Sequence, residues 1–370
     1  MKGKAPEGAF LVKGRWKVCH VSEAVIFFDP LFEQHEAGFG HPERPERLPV
    51  ALHALKESGL LDRAEVKAPR DATIEEIELV HTPTYIDLVR RVSDSGGGNL
   101  DMDTALSGAS YSAALRAAGA LLDSVDGCLG GDFRRTFCLV RPPGHHALPG
   151  RGMGFCLFNN VAIGARFAMT RKKLKRVMIV DWDAHHGNGT QEIFYDDPAV
   201  LYVSLHQYPH YPGTGWLDET GRGKGKGYTI NFPFPPGTGE EHYLQAFERV
   251  IIPAGRRFAP DLLMLSAGYD SHDGDLLCSM RLTDSSYRKL TDYLVDLADA
   301  CCGGMFITTL EGGYNLEAQA RSIVQTVAGL SGVDVPFEDE PPRQTAYPDR
   351  AAEVIDQVAL LWSESAWRKP

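Results

Sequence analysis

An α/β fold, with a mostly parallel sheet and helices on both faces, is predicted by three observations. Apolar, β-rich runs recur along the chain, and several lack in/out alternation, as strands covered on both faces do. Helical stretches separate them, and alternating strands and helices imply parallel crossovers. Polar, glycine-bearing clusters follow four of the runs, and ligands of such folds sit outside the carboxyl ends of the strands.

Strands are predicted at "TFCLV" (136–140), "VMIV" (177–180), "VLYVSL" (200–205), "YTINF" (228–232), "DLLMLSAG" (261–268) and "MFITTL" (305–310). Helices are predicted near 107–123, 160–171, 284–300 and 317–330. A further helix carries Tyr243, Phe247, Val250, Ile251 and Ala254 at helical spacing, and Pro253 is expected to kink or end it. "SGGGN" (Ser95 to Asn99) and "GRGKGKG" (Gly221 to Gly227) read as flexible loops. The second lacks the lysine followed by Ser or Thr of a phosphate loop, which weighs against nucleotide binding. "VPFEDEPPRQTAYP" reads as a proline-rich connector to a final helix of about 350–362, where Val354, Val358 and Leu361 share a face. No internal repeat is visible.

A chain of 370 residues that is 43% hydrophobic can bury a large core. Length alone suggests two domains, but single α/β domains run this long. Residues 1–370 are read as one domain, with a motif-bearing core of about 20–330 and the last helix packed on it. No apolar run approaches the ~20 residues that span a bilayer, and the N-terminus lacks an apolar signal core. The expectation is a soluble, cytoplasmic protein. Seven cysteines without CxxC spacing fit buried thiols in a reducing compartment. A net charge of −11 argues against direct nucleic-acid binding. It is compatible with a basic peptide or cationic amine as substrate. The basic run "RKKLKR" reads as a solvated helix end.

The clusters after the four strands are "RPPGHHA", "DWDAHHGNGTQ", "GYDSHDGD" and "EGGYN". In the second, turn chemistry accounts for Gly187, Asn188 and Gly189. It leaves Asp183 and His185, which alternate along a strand and so point the same way. By itself Asp-x-His is equally a structural pair. With Asp270 from the third cluster it makes two oxygens and one nitrogen, the three-ligand pattern of a catalytic zinc site with an open position. Ligand type alone leaves zinc against iron(II) open. Glycine stands two residues after His185 (Gly187) and two before Asp270 (Gly268), so neither position offers a ligand to a second ion. Zinc would lower the pKa of bound water to roughly 7. His145 and His146 are candidate proton acceptors, with Asp181 and Asn188 available to orient them. Tyr314 is a neutral hydroxyl suited to an oxyanion.

"HPERPERL", "RPPGHHA", "GFCLFNNVA", "DWDAHHGNGTQ", "YVSLHQ", "SAGYDSHDGD" and "LEGGYN", in this order, closely resemble the zinc-dependent histone deacetylase family. The likeness is to its class II branch, near bacterial deacetylase-like amidohydrolases and acetylpolyamine amidohydrolases. It implies the arginase-type α/β fold with an eight-stranded parallel sheet, and zinc on Asp183, His185 and Asp270. It also implies His146 as proton acceptor and donor, His145 as an electrostatic partner, Asp181 paired with His145, Asn188 with His146, and Tyr314 on the oxyanion. Phe155 and Tyr211, where the family usually has Phe, are implied to wall a substrate tunnel, and the Gly154 carbonyl to accept the substrate amide. Leu277 falls where polyamine-selective members carry an acid. Arg47 resembles an internal-channel arginine, and Asp101 and Asp103 lie in a loop that often holds a substrate backbone.

Structural potassium is implied at the backbone carbonyls of Asp181, Asp183, His185 and Leu205 with the Asp181 and Ser204 side chains. A second potassium is implied near Phe194, Asp197, Val200 and Tyr228. The expected substrate is an acetylated lysine peptide or protein, or an acetylated small amine. A non-catalytic acyl-lysine-binding scaffold and a two-metal ureohydrolase are the alternatives. Acyl-chain preference, oligomeric state and the role of residues 1–15 stay open.

Overall fold

The computed structural model describes residues 9–12, 15–18, 24–335, 341 and 343–364. Its strands are β1 (Ala9–Val12), β2 (Arg15–Val18), β3 (Val25–Phe27), β4 (Glu65–Lys67), β5 (Gly97–Asn99), β6 (Ala105–Ser107), β7 (Arg135–Cys138), β8 (Val177–Asp181), β9 (Val200–Gln207), β10 (Thr229–Phe234), β11 (Leu262–Ala267) and β12 (Phe306–Leu310). Eight of them form one sheet in the order β10-β9-β8-β11-β12-β7-β3-β4. Every pairing in it is parallel. β1–β2 and β5–β6 are separate antiparallel pairs.

The six predicted strands are all present. β8, β9, β10, β11 and β12 are buried along their whole length, which is why their sequences lack alternation. The chain visits β7, then skips two places to β8, and fills the gap later with β11 and β12. The four strands that precede the polar clusters thereby become adjacent, in the order β8-β11-β12-β7. This is a topological switch point, where a crevice opens above the carboxyl ends.

Helices flank the sheet and start where side chains cap them. Asn159 accepts from the Ala162 N–H and Asn315 from the Ala318 N–H, each at 3.1 Å. Gly131, Gly303 and Gly332 close the helices Ser110–Gly130, Asp284–Cys302 and Leu316–Ser331 in the left-handed conformation. The apolar stripes between these ends face the core, where each fully buried large apolar side chain contributes about 1.5–3 kcal/mol.

Several expectations are corrected. Gly97–Asn99 of "SGGGN" is not loose but pairs with Ala105–Ser107. "GRGKGKG" is tied down too: the Arg222 N–H donates to the Tyr195 carbonyl at 2.7 Å, and Gly225 is buried. Pro253 does not end its helix. A π turn at Phe247–Ile251 precedes it and the chain continues helically to Phe258; the wider turn accommodates a ring that has no N–H to offer. The last helix runs Pro348–Glu364 and packs on β10 and on helix Glu240–Ala246. It buries Ala351, Ile355 and Val358, while Leu361 is exposed, so the buried stripe is rotated from the predicted one. The helices Arg47–Glu57 and Pro83–Asp94 and the short strands β3 and β4 were not predicted. Residues 1–8 lie outside the described residues. Among the described residues, no helix is long and apolar enough to cross a membrane.

Candidate active site

β8 ends at Asp181, and its next turns deliver Asp183 and His185. The turn after β11 delivers Asp270. His185 Nδ1 lies 3.0 Å from Asp183 Oδ1 and 2.8 Å from Asp270 Oδ2. All three residues are buried. Their ligand-type atoms lie within 4.8 Å of one another. The carboxylates are aimed by backbone donors: Gly312 N–H to Asp183 Oδ2 at 2.8 Å, and Ala184 N–H to Asp270 Oδ1 at 2.7 Å.

The surroundings fit a single cation at this cluster. A Cβ on Gly312 would come within 2.5 Å of Asp270 Oδ2 and 2.6 Å of Asp183 Oδ2. A Cβ on Gly268 would lie 2.0 Å from Asp183 Oδ2, and one on Gly187 2.2 Å from Asp181 Oδ2. The two carboxylates are crowded by backbone that only glycine permits, and neither Gly187 nor Gly268 leaves room for a further ligand. Two carboxylates and an imidazole in a buried cradle form a donor set suited to a divalent metal.

The β7 turn places two histidines beside this cluster, their rings 4.0 Å apart. His145 Nδ1 meets Asp181 Oδ2 at 3.0 Å, and His146 Nδ1 meets Asn188 Oδ1 at 2.8 Å. An amide oxygen can only accept, so the His146 proton sits on Nδ1 and its Nε2 is left as the acceptor. The environments push the pair apart. Burial opposes charge on His145, but the Asp181 and Asp183 carboxylates outweigh it and raise its pKa to about 10. Burial, with the neighbouring His145 and His185 cations, lowers the pKa of His146 well below the usual imidazole value. Titratable neighbours pushed in opposite directions are a mark of acid–base sites.

A cavity of about 230 Å³ opens onto these groups, lined by Asp103, His146, Gly154, Phe155, His185, His210, Tyr211, Leu277 and Tyr314. Tyr211 stands edge-on to His146, with ring centroids 5.2 Å apart, and Phe155 edge-on to Tyr314 at 5.8 Å. Burial and the Asp183 and Asp270 charges raise the Tyr314 pKa well above that of a free phenol. Its hydroxyl is therefore a neutral donor. The predicted tunnel residues Gly154, Phe155, Tyr211 and Leu277 thus share one cavity with His146, His185 and Tyr314. Asp103 reaches its wall, and its Oδ1 accepts the Gly154 N–H at 3.2 Å. Asp101 instead accepts from the Asp103 and Thr104 N–H groups. Ser204 is the strand partner of Asp181. Phe194, Asp197 and Val200 lie on two successive turns, where Arg166 already pairs with Asp197.

Sequence reasoning singled out Arg47 but missed the rest of the buried frame beneath. Glu311, at the end of β12, accepts from the Gly144 and His145 N–H groups at 2.7 and 3.2 Å and from the Ser266 hydroxyl at 3.0 Å. Arg47 donates to the carbonyls of Glu311 and Gly313, at 2.6 and 2.8 Å, and pairs with Glu43, which also holds Arg141. These acids stand inside quoted motifs, yet only their burial shows that they are structural supports. His210 and Cys278, beside His185, were also missed, having no spacing signal.

An all-parallel sheet whose central strands deliver buried carboxylates, imidazoles and a tyrosine to one cleft has the layout of an α/β enzyme site. A model of the histone deacetylase domain matches residues 41–330. The probable deacetylase of Archaeoglobus fulgidus is 40% identical over 319 residues, covering 85% of this chain and 88% of its own length. The human polyamine deacetylase HDAC10 is 42% identical over 311 residues, covering 80% of this chain and 45% of its own length. The crystal structure of the HDA15 HD domain matches with a TM-score of 0.85 at 36% identity, over 92% of this chain and 96% of that one. The chain belongs to the histone deacetylase family.

Proposed function

We propose that this protein hydrolyses the amide of N-ε-acetyl-lysine-like substrates with one catalytic divalent metal, zinc by the family's habit, held by Asp183, His185 and Asp270. The observation that carries this reading is the meeting of that cluster with His146 and Tyr314 at the floor of one aromatic-walled cavity. When bound, the metal would supply Lewis acidity to the carbonyl and acidify water.

The chain's own residues supply the rest. Phe155 and Tyr211 flank the aliphatic stem of the substrate and exclude water, and the Gly154 carbonyl accepts its amide N–H. His146 Nε2 takes the proton of the attacking water and returns one to the leaving amine; its depressed pKa keeps it neutral, as an acceptor must be. His145, held cationic against Asp181, stabilises negative charge without exchanging protons. The Tyr314 hydroxyl donates to the developing oxyanion. Asp181 and Asn188 fix the two rings. The second coordination set, Asp181, Asp183, His185, Ser204 and Leu205, is assigned to structural potassium, and Phe194, Asp197, Val200 and Tyr228 to another. We take residues 1–370 as one domain, working in a reducing, cytoplasm-like compartment, as its free thiols favour.

A second reading is hydrolysis of acetylated polyamines, favoured by the likeness to a polyamine deacetylase. Leu277 at the rim, in place of an acid, weighs against it. A panel of acetyl-lysine peptides and acetylated polyamines, run with metal analysis of the same sample, tests both. Turnover confined to polyamines overturns the first reading. Peptide binding by metal-replete protein with no acetate released overturns catalysis altogether and leaves a scaffold.

A further inference from the structure

His185 faces two neighbourhoods. Its Nδ1 meets the Asp183 and Asp270 carboxylates. Its Nε2, on the other edge of the ring, lies 3.6 Å from the Cys278 sulfur. The same sulfur lies 3.5 Å from His210 Nε2. The His185 and His210 rings stack at 4.9 Å and 25°. Cys278, His210 and His185 therefore cluster, with one ligand-type atom of each within 4.8 Å of the others.

The two sulfur–nitrogen spacings are those of a coordination shell. Zinc bonds of about 2.3 Å to sulfur and about 2.0–2.1 Å to nitrogen, at tetrahedral angles, hold the two atoms about 3.6 Å apart. The two sulfur–nitrogen separations, 3.6 and 3.5 Å, match it. The segment carrying the thiol is held on both sides. The Leu277 N–H donates to Asp275 Oδ1 at 2.8 Å and the Ser279 N–H to Gln207 Oε1 at 2.8 Å, while the Ser279 carbonyl accepts the Gly237 N–H at 2.7 Å. His210 lines the cavity, and Cys278 is half-buried behind it.

We propose that Cys278 Sγ, His210 Nε2 and His185 Nε2 form a second site for a borderline-soft divalent cation such as Zn2+, sharing His185 with the Asp183–His185–Asp270 cluster. The sharing rests on that cluster being the catalytic metal centre; the three-atom site does not. Thiolate and imidazole donors select zinc-like ions over magnesium or calcium. On binding, the Cys278 thiol proton and the His185 Nε2 proton pass to solvent, sulfur–metal and nitrogen–metal bonds form, and no electron changes hands. The site uses the Nε2 edge of His185, and the carboxylate cluster its Nδ1 edge. A cation seated here stands in the cavity wall and obstructs the acyl-amine path.

The test titrates purified full-length protein with Zn2+ and with Co2+, followed by metal analysis and near-ultraviolet absorption. Wild type is expected to pass from one to two equivalents at excess metal, with a thiolate-to-cobalt charge-transfer band. Cys278→Ser and His210→Phe are expected to stop at one equivalent without the band. Asp183→Ala is expected to lose the other equivalent and keep the band. Iodoacetamide labelling of Cys278 in wild type, mapped by mass spectrometry, is expected to slow when Zn2+ is present; this arm needs no variant to fold. Saturation of wild type at one equivalent without the band overturns the second site and leaves the first reading intact, the sulfur then merely hydrogen-bonding the two rings. A second equivalent that survives Cys278→Ser also overturns it. Two equivalents with the band kept in Asp183→Ala count instead against the first reading, and loss of the band there overturns the independent second site.

Discussion

Glu311 Oε2 accepts the Gly144 N–H at 2.7 Å. That bond, between the end of β12 and the turn after β7, holds the histidine pair in register with the carboxylates of β8. Burial raises the Glu311 pKa to about 7, and the Gly144 N–H, His145 N–H and Ser266 hydroxyl hold the carboxyl in place. Glu311→Gln exchanges an acceptor for a group half donor. Loss of such a hydrogen bond costs about 1–3 kcal/mol. The expected outcome is a lower melting temperature and a reduced kcat with metal content kept, read by calorimetry and steady-state kinetics together. Unchanged kcat would show that the turn positions itself.

Tyr314→Phe removes one hydroxyl and nothing else from the cavity wall. Turnover of an acetyl-lysine peptide is expected to fall at least about a hundredfold, the scale of one oxyanion donor, while metal analysis stays unchanged. A loss confined to KM would point to ground-state binding instead.

Asp183→Ala removes one carboxylate from the cluster and the acceptor of the Gly312 N–H. The catalytic metal should be lost on dialysis, and turnover with it. Retained activity in metal-depleted Asp183→Ala protein would contradict the assigned centre.

Leu277→Glu adds an anion at the cavity rim. A cationic acetylpolyamine should gain about fivefold in kcat/KM, on the order of 1 kcal/mol for an exposed charge pair, relative to a neutral acetyl-lysine peptide. The ratio of the two substrates in one preparation is the readout, and no change in it would place selectivity elsewhere.

His81 makes the acid stability of the fold measurable. Its Nε2 accepts the Asn159 N–H at 2.8 Å and its Nδ1 donates to the Leu148 carbonyl at 3.1 Å. The ring must be neutral to do both. Burial lowers its pKa from 6.5 to about 4. The unfolded chain therefore binds more protons between these values, and stability falls as pH drops from 6.5 towards 4. The full effect is about 3 kcal/mol at about 1.4 kcal/mol per unit. His81→Gln should flatten that part of the slope in denaturant titrations at several pH values, whatever it does to absolute stability. An unaltered slope would mean that the other buried histidines carry it.

The sheet's central strands were legible because each is an unbroken apolar run ending in a polar, glycine-bearing turn. β3 and β4 were not, since three residues establish no period, and β4 reads as Glu-Val-Lys. Asp183, His185 and Asp270 could be linked from afar because all three follow strand ends, although Asp183 and His185 lie beyond the end of β8 rather than alternating along it. Glu43, Arg141 and Glu311 are a different matter. Their meaning lies in long-range contacts, such as Glu43 with Arg141 across 98 positions and Glu311 with Gly144 across 167, which no local pattern carries. The same holds for Cys278, whose partners lie 68 and 93 positions away.

The two margins of the large sheet are guarded by unlike means. β4 is short, and Glu65 pairs with Lys67 on it at 3.2 Å, so an approaching strand from another molecule finds charge and little length. β10 is longer and carries no charged side chain, and the last helix, seated through Ala351, Ile355 and Val358, lies against it. Trimming that helix therefore bares the margin that has no charge of its own, and self-association rather than lost chemistry is its natural outcome.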